Sequence, residues 1–151
     1  MRQTLEVTVY ISDEGWIYAD SFGCAELIGR DGQNVGIREK NGVRTLHIPK
    51  KVDGLEVYLL SFHGFMKDFE ALYIPDGVGF ILPGAFAGCE NLKKVRIPSS
   101  MLEIADNAFY GTAIPEKRLK QLYAIKYDCA FPVQDSEIPP QVYDSSQALP
   151  F

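Results

Sequence analysis

Asn91–Gly111 reads NLKKVRIPSSMLEIADNAFYG, and this stretch decides the fold because its landmarks occur elsewhere in the same chain. Its Ile97-Pro98 step returns as Ile48-Pro49 and Ile74-Pro75, and its Ala108-Phe109-Tyr110-Gly111 returns as Ser61-Phe62-His63-Gly64 and Ala85-Phe86-Ala87-Gly88. The isoleucines lie 26 and 23 residues apart and the phenylalanines 24 and 23, so a whole structural unit recurs. A period of that size predicts a solenoid, and function must then be sought on a stacked surface.

Other positions repeat with the Ile. Leu46, Leu72 and Val95 precede it by two, while Val52, Val78 and Met101 follow it by four. Period two predicts a short strand in which Leu72 and Ile74 face inward and Tyr73 outward, because successive side chains on a strand alternate faces. The proline, lacking an N–H, belongs at the strand end. Val57, Ile81 and Ile104, each five residues before the repeated Phe, supply a second inward position on the return path. No unit can bury these groups alone. Stacked neighbours form one apolar column in which each large side chain contributes roughly 1.5–3 kcal/mol. Gly64, Gly88 and Gly111 suit a sharp turn with positive φ. The first copy has two extra residues between Ile48 and Phe62, expected as loops on the outside.

This pattern resembles the BspA-like subclass of leucine-rich repeats, whose units read approximately L-x-x-V-x-I-P-x-x-V-x-x-I-x-x-x-A-F-x-G-C. Asn91–Gly111 fits nearly every position, and AFAGCEN at 85–91 is the usual approach to it. The first copy departs most, with Ser61 in place of Ala, Phe65 where Cys is usual, and Val52-Asp53-Gly54 like the opening of such arrays. The resemblance covers about residues 43–114. It implies an α/β solenoid of mostly short β-strands, a short right-handed leucine-rich-repeat array with a β-hairpin N-terminal cap and a helical C-terminal cap. It also implies a bacterial source, a non-enzymatic protein–protein interaction role and an association with adhesion. Cys89 falls on the buried cysteine position of the repeat.

Residues 1–42 follow another grammar. Leu5–Ile11 and Trp16–Ala19, separated by Ser12-Asp13-Glu14-Gly15, read as a hairpin. Turn signals at Arg30–Gln33 and Lys40-Asn41-Gly42 bracket a strand near Val35–Glu39. This segment is expected to cap a stack whose last apolar layer would otherwise face water. Residues 43–114 hold three repeat units. Residues 115–131 are expected to form a closing helix, with Pro115 at its first position and Leu119, Leu122, Tyr123 and Lys126 spaced along it. Residues 132–151, rich in Pro, Ser, Asp and Gln, predict an extended tail. The whole makes one structural domain.

Composition excludes several classes of function. A net charge of −5 with interspersed signs offers no basic stripe for nucleic acid. No run approaches the ~18 apolar residues of a membrane span. Met1–Glu6 lacks the apolar core of a signal peptide; a complete chain is therefore expected in the cytoplasm, and a piece of a longer protein at the cell surface or secreted. Three cysteines without C-x-x-C spacing read as reduced thiols. His47 and His63, the only histidines, are not spaced to build a catalytic pair with Cys24 or Cys129. His47, His63 and Asp53 lack the short ligand spacing of a zinc site. Gly77-Val78-Gly79 with Gly84 is not followed by the Lys-Ser/Thr of a phosphate loop. No catalytic residue, metal or cofactor is expected.

Function then falls to side chains that stacking does not need. Aligned on the Ile, His47, Tyr73 and Arg96 form one outward column, and Thr45, Ala71 and Lys94 the next, with Lys50, Lys51 and Lys93 nearby. Strands ~4.8 Å apart make the first column a ladder, and Tyr and Arg favour binding hot spots. Leu59, Leu60, Phe65, Met66 and Phe69 around the irregular first copy are a second candidate surface if they prove exposed together. The expected partner is a protein, acidic or aromatic in character, reached through the strand face or these loops. Two rival readings are an intracellular inhibitor or regulator of a host enzyme, for instance one carried by a phage, and a carbohydrate-binding or hydrolytic cleft using Asp20, Glu26 or Asp31.

Overall fold

The computed structural model describes residues 8–62 and 66–127. In chain order the strands are β1 (Val9–Ile11), β2 (Trp16–Ser21), β3 (Cys24–Arg30), β4 (Ile37–Lys40), β5 (Val43–His47), β6 (Lys51–Val52), β7 (Leu55–Leu60), β8 (Ala71–Tyr73), β9 (Phe80–Ile81), β10 (Lys94–Arg96) and β11 (Glu103–Ile104), followed by helix α1 (Glu116–Tyr123). They form two sheets. The short sheet runs β10-β8-β5-β4, and the long sheet runs β1-β2-β3-β7-β9-β11 with β6 beside β7.

Each repeat gives one strand to each sheet. In the short sheet β5, β8 and β10 are parallel and in register on the repeat, Leu46 beside Leu72 and Leu72 beside Val95. In the long sheet β7, β9 and β11 are parallel, with Leu60, Ile81 and Ile104 aligned. The inward positions expected from period two are all buried: Leu46, Leu72, Val95, Ile48, Ile74, Ile97, Val52, Val78 and Met101 are at most 3% exposed. Phe62, Phe86 and Phe109 stack through the core with ring centres 5.4 and 5.6 Å apart. Gly88 and Gly111 take the positive φ their turns require.

The first unit departs from the expected alignment. Counting back from the Phe puts Val57 in the row of Ile81, yet the register pairs Ile81 with Leu60 and Val57 with Ala25 of β3. The extra residues are not an outer loop. They lengthen β7 and form the β6–β7 hairpin, whose Asp53-Gly54 corner has positive φ at both residues. The Asn41-Gly42 corner between β4 and β5 is built the same way. Both are the two-residue turns whose twist matches a hairpin.

Residues before the repeats enter both sheets. The expected hairpin appears as β1 antiparallel to β2, with Leu5–Val7 outside the described residues; β3 pairs parallel with β7 and so continues the long sheet. β4 continues the short one, over Ile37–Lys40 rather than Val35–Glu39. The Arg30 guanidinium donates to both carboxylate oxygens of Asp68 at 2.8 Å, tying β3 to the first repeat.

At the other end α1 follows Pro115, which is the N-cap residue and not the first helical one. Leu122 is buried, and the Tyr123 hydroxyl accepts the Phe109 N–H at 3.0 Å. Two cations close the sheet edges: Arg118 Nη2 donates to the Val95 carbonyl at 3.1 Å, and Lys126 Nζ to the Ile104 carbonyl at 3.0 Å. The expected tail at 132–151 and the end of the 115–131 segment lie outside the described residues.

Candidate functional site

The short sheet's outer face carries the ladder that strand alternation predicts. Leu46, Leu72 and Val95 point into the core, so their neighbours His47, Tyr73 and Arg96 point out and share one row. The His47 and Tyr73 rings stack with centres 5.1 Å apart and planes inclined by 26°. The Arg96 guanidinium carbon sits 4.9 Å from the Tyr73 ring centre, within cation–π range. Arg96 is held there because Nη1 donates to the Ile74 carbonyl at 2.7 Å and Nη2 reaches Asp76 Oδ1 at 3.4 Å.

His47 lies at the mouth of a shallow cleft of about 900 Å³ whose floor includes Trp16 and Gly36 and whose rim carries Arg38, Lys40 and Lys50. A Cβ on Gly36 would fall 2.5 Å from the Trp16 ring, so only glycine lets the strand pass over the indole. Burial, then the positive charge of Arg38, lowers the His47 pKa from its ordinary value. A neutral imidazole at pH 7 follows, stacked on Tyr73 and flanked by permanent cations.

The remaining sequence candidates separate. Lys94 and Lys50 are exposed on or beside this face. Thr45 is in the expected column, between Arg38 and Ala71, but it is only 3% exposed and offers little surface. Lys51 is not on the ladder's sheet: β6 belongs to the long sheet, where Lys51 is in register with Glu56. Phe65 and His63 lie outside the described residues. Met66 is half-buried and packs on the core, and Leu60 and Phe69 are core, so the described part of this cluster is mainly interior.

The carboxylates proposed for a cleft do not converge. Asp20 accepts the Gly23 N–H at the tip of the β2–β3 hairpin, and Glu26 accepts the Ser61 hydroxyl. Five residues of extended chain, roughly 16 Å, separate Glu26 from Asp31. Asp53 accepts the Tyr18 hydroxyl, which helps push that phenol up to about 12. Cys89 is fully buried, and burial raises its thiol to about 11, so it packs and does not react.

Sequence reading missed Arg38, Trp16 and Arg118 as neighbours of this face. For Arg38 a signal existed: the Asn41-Gly42 loop fixes Lys40 opposite Val43, which places Arg38 opposite Thr45. Trp16 and Arg118 come from β2 and α1, whose approach to the short sheet no local pattern encodes.

Comparison with known proteins agrees with this architecture. Residues 56–143 match the sequence model described as BspA type Leucine rich repeat region (6 copies). Among solved structures, a leucine-rich repeat protein of T. pallidum is 20% identical with a TM-score of 0.50, over 70% of this chain and 42% of that one. A leucine-rich repeat protein from Bacteroides ovatus ATCC 8483 is 19% identical with a TM-score of 0.41, covering 74% of this chain and 33% of that one. A leucine rich cell surface protein from Faecalibacterium prausnitzii A2-165 is 20% identical with a TM-score of 0.35, covering 77% and 42%. The chain thus spans less than half the length of each of these proteins. No curated protein matches the sequence. At such identities the structures speak for the fold alone, and the T. pallidum protein does so for a repeat of short strands. With more than half of its residues matched by the family's sequence model, the chain belongs to the BspA type leucine-rich repeat family.

Proposed function

We propose that this chain is a non-enzymatic protein-interaction module whose short-sheet outer face binds an acidic segment of a protein partner. The observation that carries the reading is the His47–Tyr73–Arg96 ladder, a rigid aromatic and cationic row bordered by Arg38, Lys50 and Lys94. Repeat arrays supply extended surfaces of this kind without a pocket, and family membership supports an interaction role. In this reading the N-terminal strands and α1 are the two ends of a short solenoid. Cations beside an aromatic face favour carboxylate-bearing partners and set a salt-dependent association rate.

Affinity purification followed by mass spectrometry, with the wild type and a Tyr73→Ala/Arg96→Ala double variant, tests it. The expected result is a protein captured by the wild type and lost from the variant while the variant's thermal unfolding remains cooperative. Retention of every partner by a folded variant removes the short-sheet face from consideration.

A further inference from the structure

The long sheet presents an outer face of opposite character. Its register aligns Glu26, Leu59, Phe80 and Glu103 across β3, β7, β9 and β11 in one row. Their neighbours Leu27, Leu60, Ile81 and Ile104 are buried, so the row faces outward, and all four of its residues are half-buried. Two tyrosines widen it. Tyr58 lies flat over Gly79, where a Cβ would fall 2.6 Å from the ring, and meets Phe80 edge to face at 5.5 Å. Tyr127, 51% exposed, meets Phe80 edge to face from the other side at 6.1 Å. The row therefore has a carboxylate at each end and an apolar, aromatic middle. Of the cations near the row among the described residues, Lys126 is paired with Asp106, while Lys51 is exposed on β6 with its backbone in register with Glu56.

We propose that this face is a second docking surface, taking an extended basic protein segment that carries two Arg or Lys residues four positions apart with an apolar residue midway. Three strand steps put Glu26 and Glu103 about 14 Å apart. In an extended peptide, residues i and i+4 point to one side and lie about 13.5 Å apart, while i+2 points the same way between them. A segment crossing the strands thus sets a cation against each carboxylate and its central apolar side chain on Leu59 and Phe80. The tyrosine rings give the cations π-faces within reach of the same row. An anionic lipid surface is disfavoured by the two carboxylates. The proposal is independent of the short-sheet reading, since the faces belong to different sheets.

The test is calorimetric titration with the capped peptide Gly-Arg-Ser-Leu-Ser-Arg-Gly, against a version with Glu for Arg and a version with the two arginines adjacent. The first is expected to bind, the Glu version to show no heat, and the adjacent version to bind at least about fivefold more weakly. Glu26→Gln/Glu103→Gln is expected to weaken the first peptide about tenfold; Gln at 26 still accepts the Ser61 hydroxyl, and Phe80→Ala provides a second variant should that one unfold. Lys117→Glu, at an exposed position of α1, is expected to change nothing beyond general charge attraction. Equal binding of the adjacent-arginine peptide, or unchanged binding by folded variants of both kinds, overturns the proposal. So does concentration-dependent self-association in sedimentation that Glu26→Gln/Glu103→Gln abolishes, which would assign the face to a second copy of the chain.

Discussion

The phenylalanine column and the His47–Tyr73–Arg96 ladder are two readings of one pitch. Inside, Phe62, Phe86 and Phe109 stack at 5.4 and 5.6 Å; outside, the imidazole, phenol and guanidinium stack at 5.1 and 4.9 Å. Both spacings follow from strands repeated about 4.8 Å apart. The columns differ in burial. The phenylalanines are at most 1% exposed, whereas His47, Tyr73 and Arg96 are half-buried. A repeat therefore aligns any side chain placed at a fixed position in each unit, and burial decides whether the alignment contributes stability or recognition.

Phe86 offers the hardest test of that contrast, since its ring touches both neighbours in the column. Phe86→Ala is expected to cost about 4 kcal/mol, lowering the urea midpoint sharply, because a buried ring leaves a cavity between two layers. Next comes Arg30, whose side chain is 5% exposed and paired with Asp68. Arg30→Ala strands that carboxylate and is expected to cost about 3 kcal/mol. Tyr73→Ala, at the equivalent place in the outer ladder, is expected to cost only about 1 kcal/mol by the same unfolding measurement. A Tyr73→Ala loss as large as that of Phe86→Ala would erase the distinction between the columns.

The smallest effect is a pH dependence. His47 has a folded pKa below its ordinary value, from burial and then Arg38. The unfolded chain therefore binds the proton more readily, and stability is fully present above pH ~6.5 and falls as pH drops toward the folded pKa. The drop in urea midpoint between pH 7.5 and that window is expected to be smaller in His47→Gln. An acidic partner favours the imidazolium and shifts the balance the other way, so its affinity for the wild type is expected to tighten over the same range.

The core was legible because the sequence states it three times. Leu72 means little alone; beside Leu46 and Val95 at the same offset from Ile-Pro it becomes an inward strand position. The ladder was legible for the same reason, being the alternate residue. Thr45 defeats that logic because a short outward side chain among longer neighbours is buried despite its direction. Lys51 and Val57 defeat it because counting assumes that each unit follows the same path. The Asp53-Gly54 hairpin sends the first unit along a longer strand that must also pair with β3. The Glu26–Leu59–Phe80–Glu103 row was hidden further still, since its members come from four strands, one of them before the repeats.

Arg118 and Lys126 bear on how the open edges of the two sheets are covered. A stack of parallel strands finishes with carbonyls aimed where the next strand would hydrogen-bond, which makes it a template for polymerisation. Here the guanidinium of Arg118 occupies the Val95 carbonyl and the Lys126 ammonium that of Ile104, one cation for each sheet. Both come from the segment that follows β11, Arg118 on α1 and Lys126 just after it, so each edge is met by a side chain and not by a strand. A side chain donates its hydrogen bond without offering a new ladder, so among the described residues strand pairing stops at β10 in one sheet and β11 in the other.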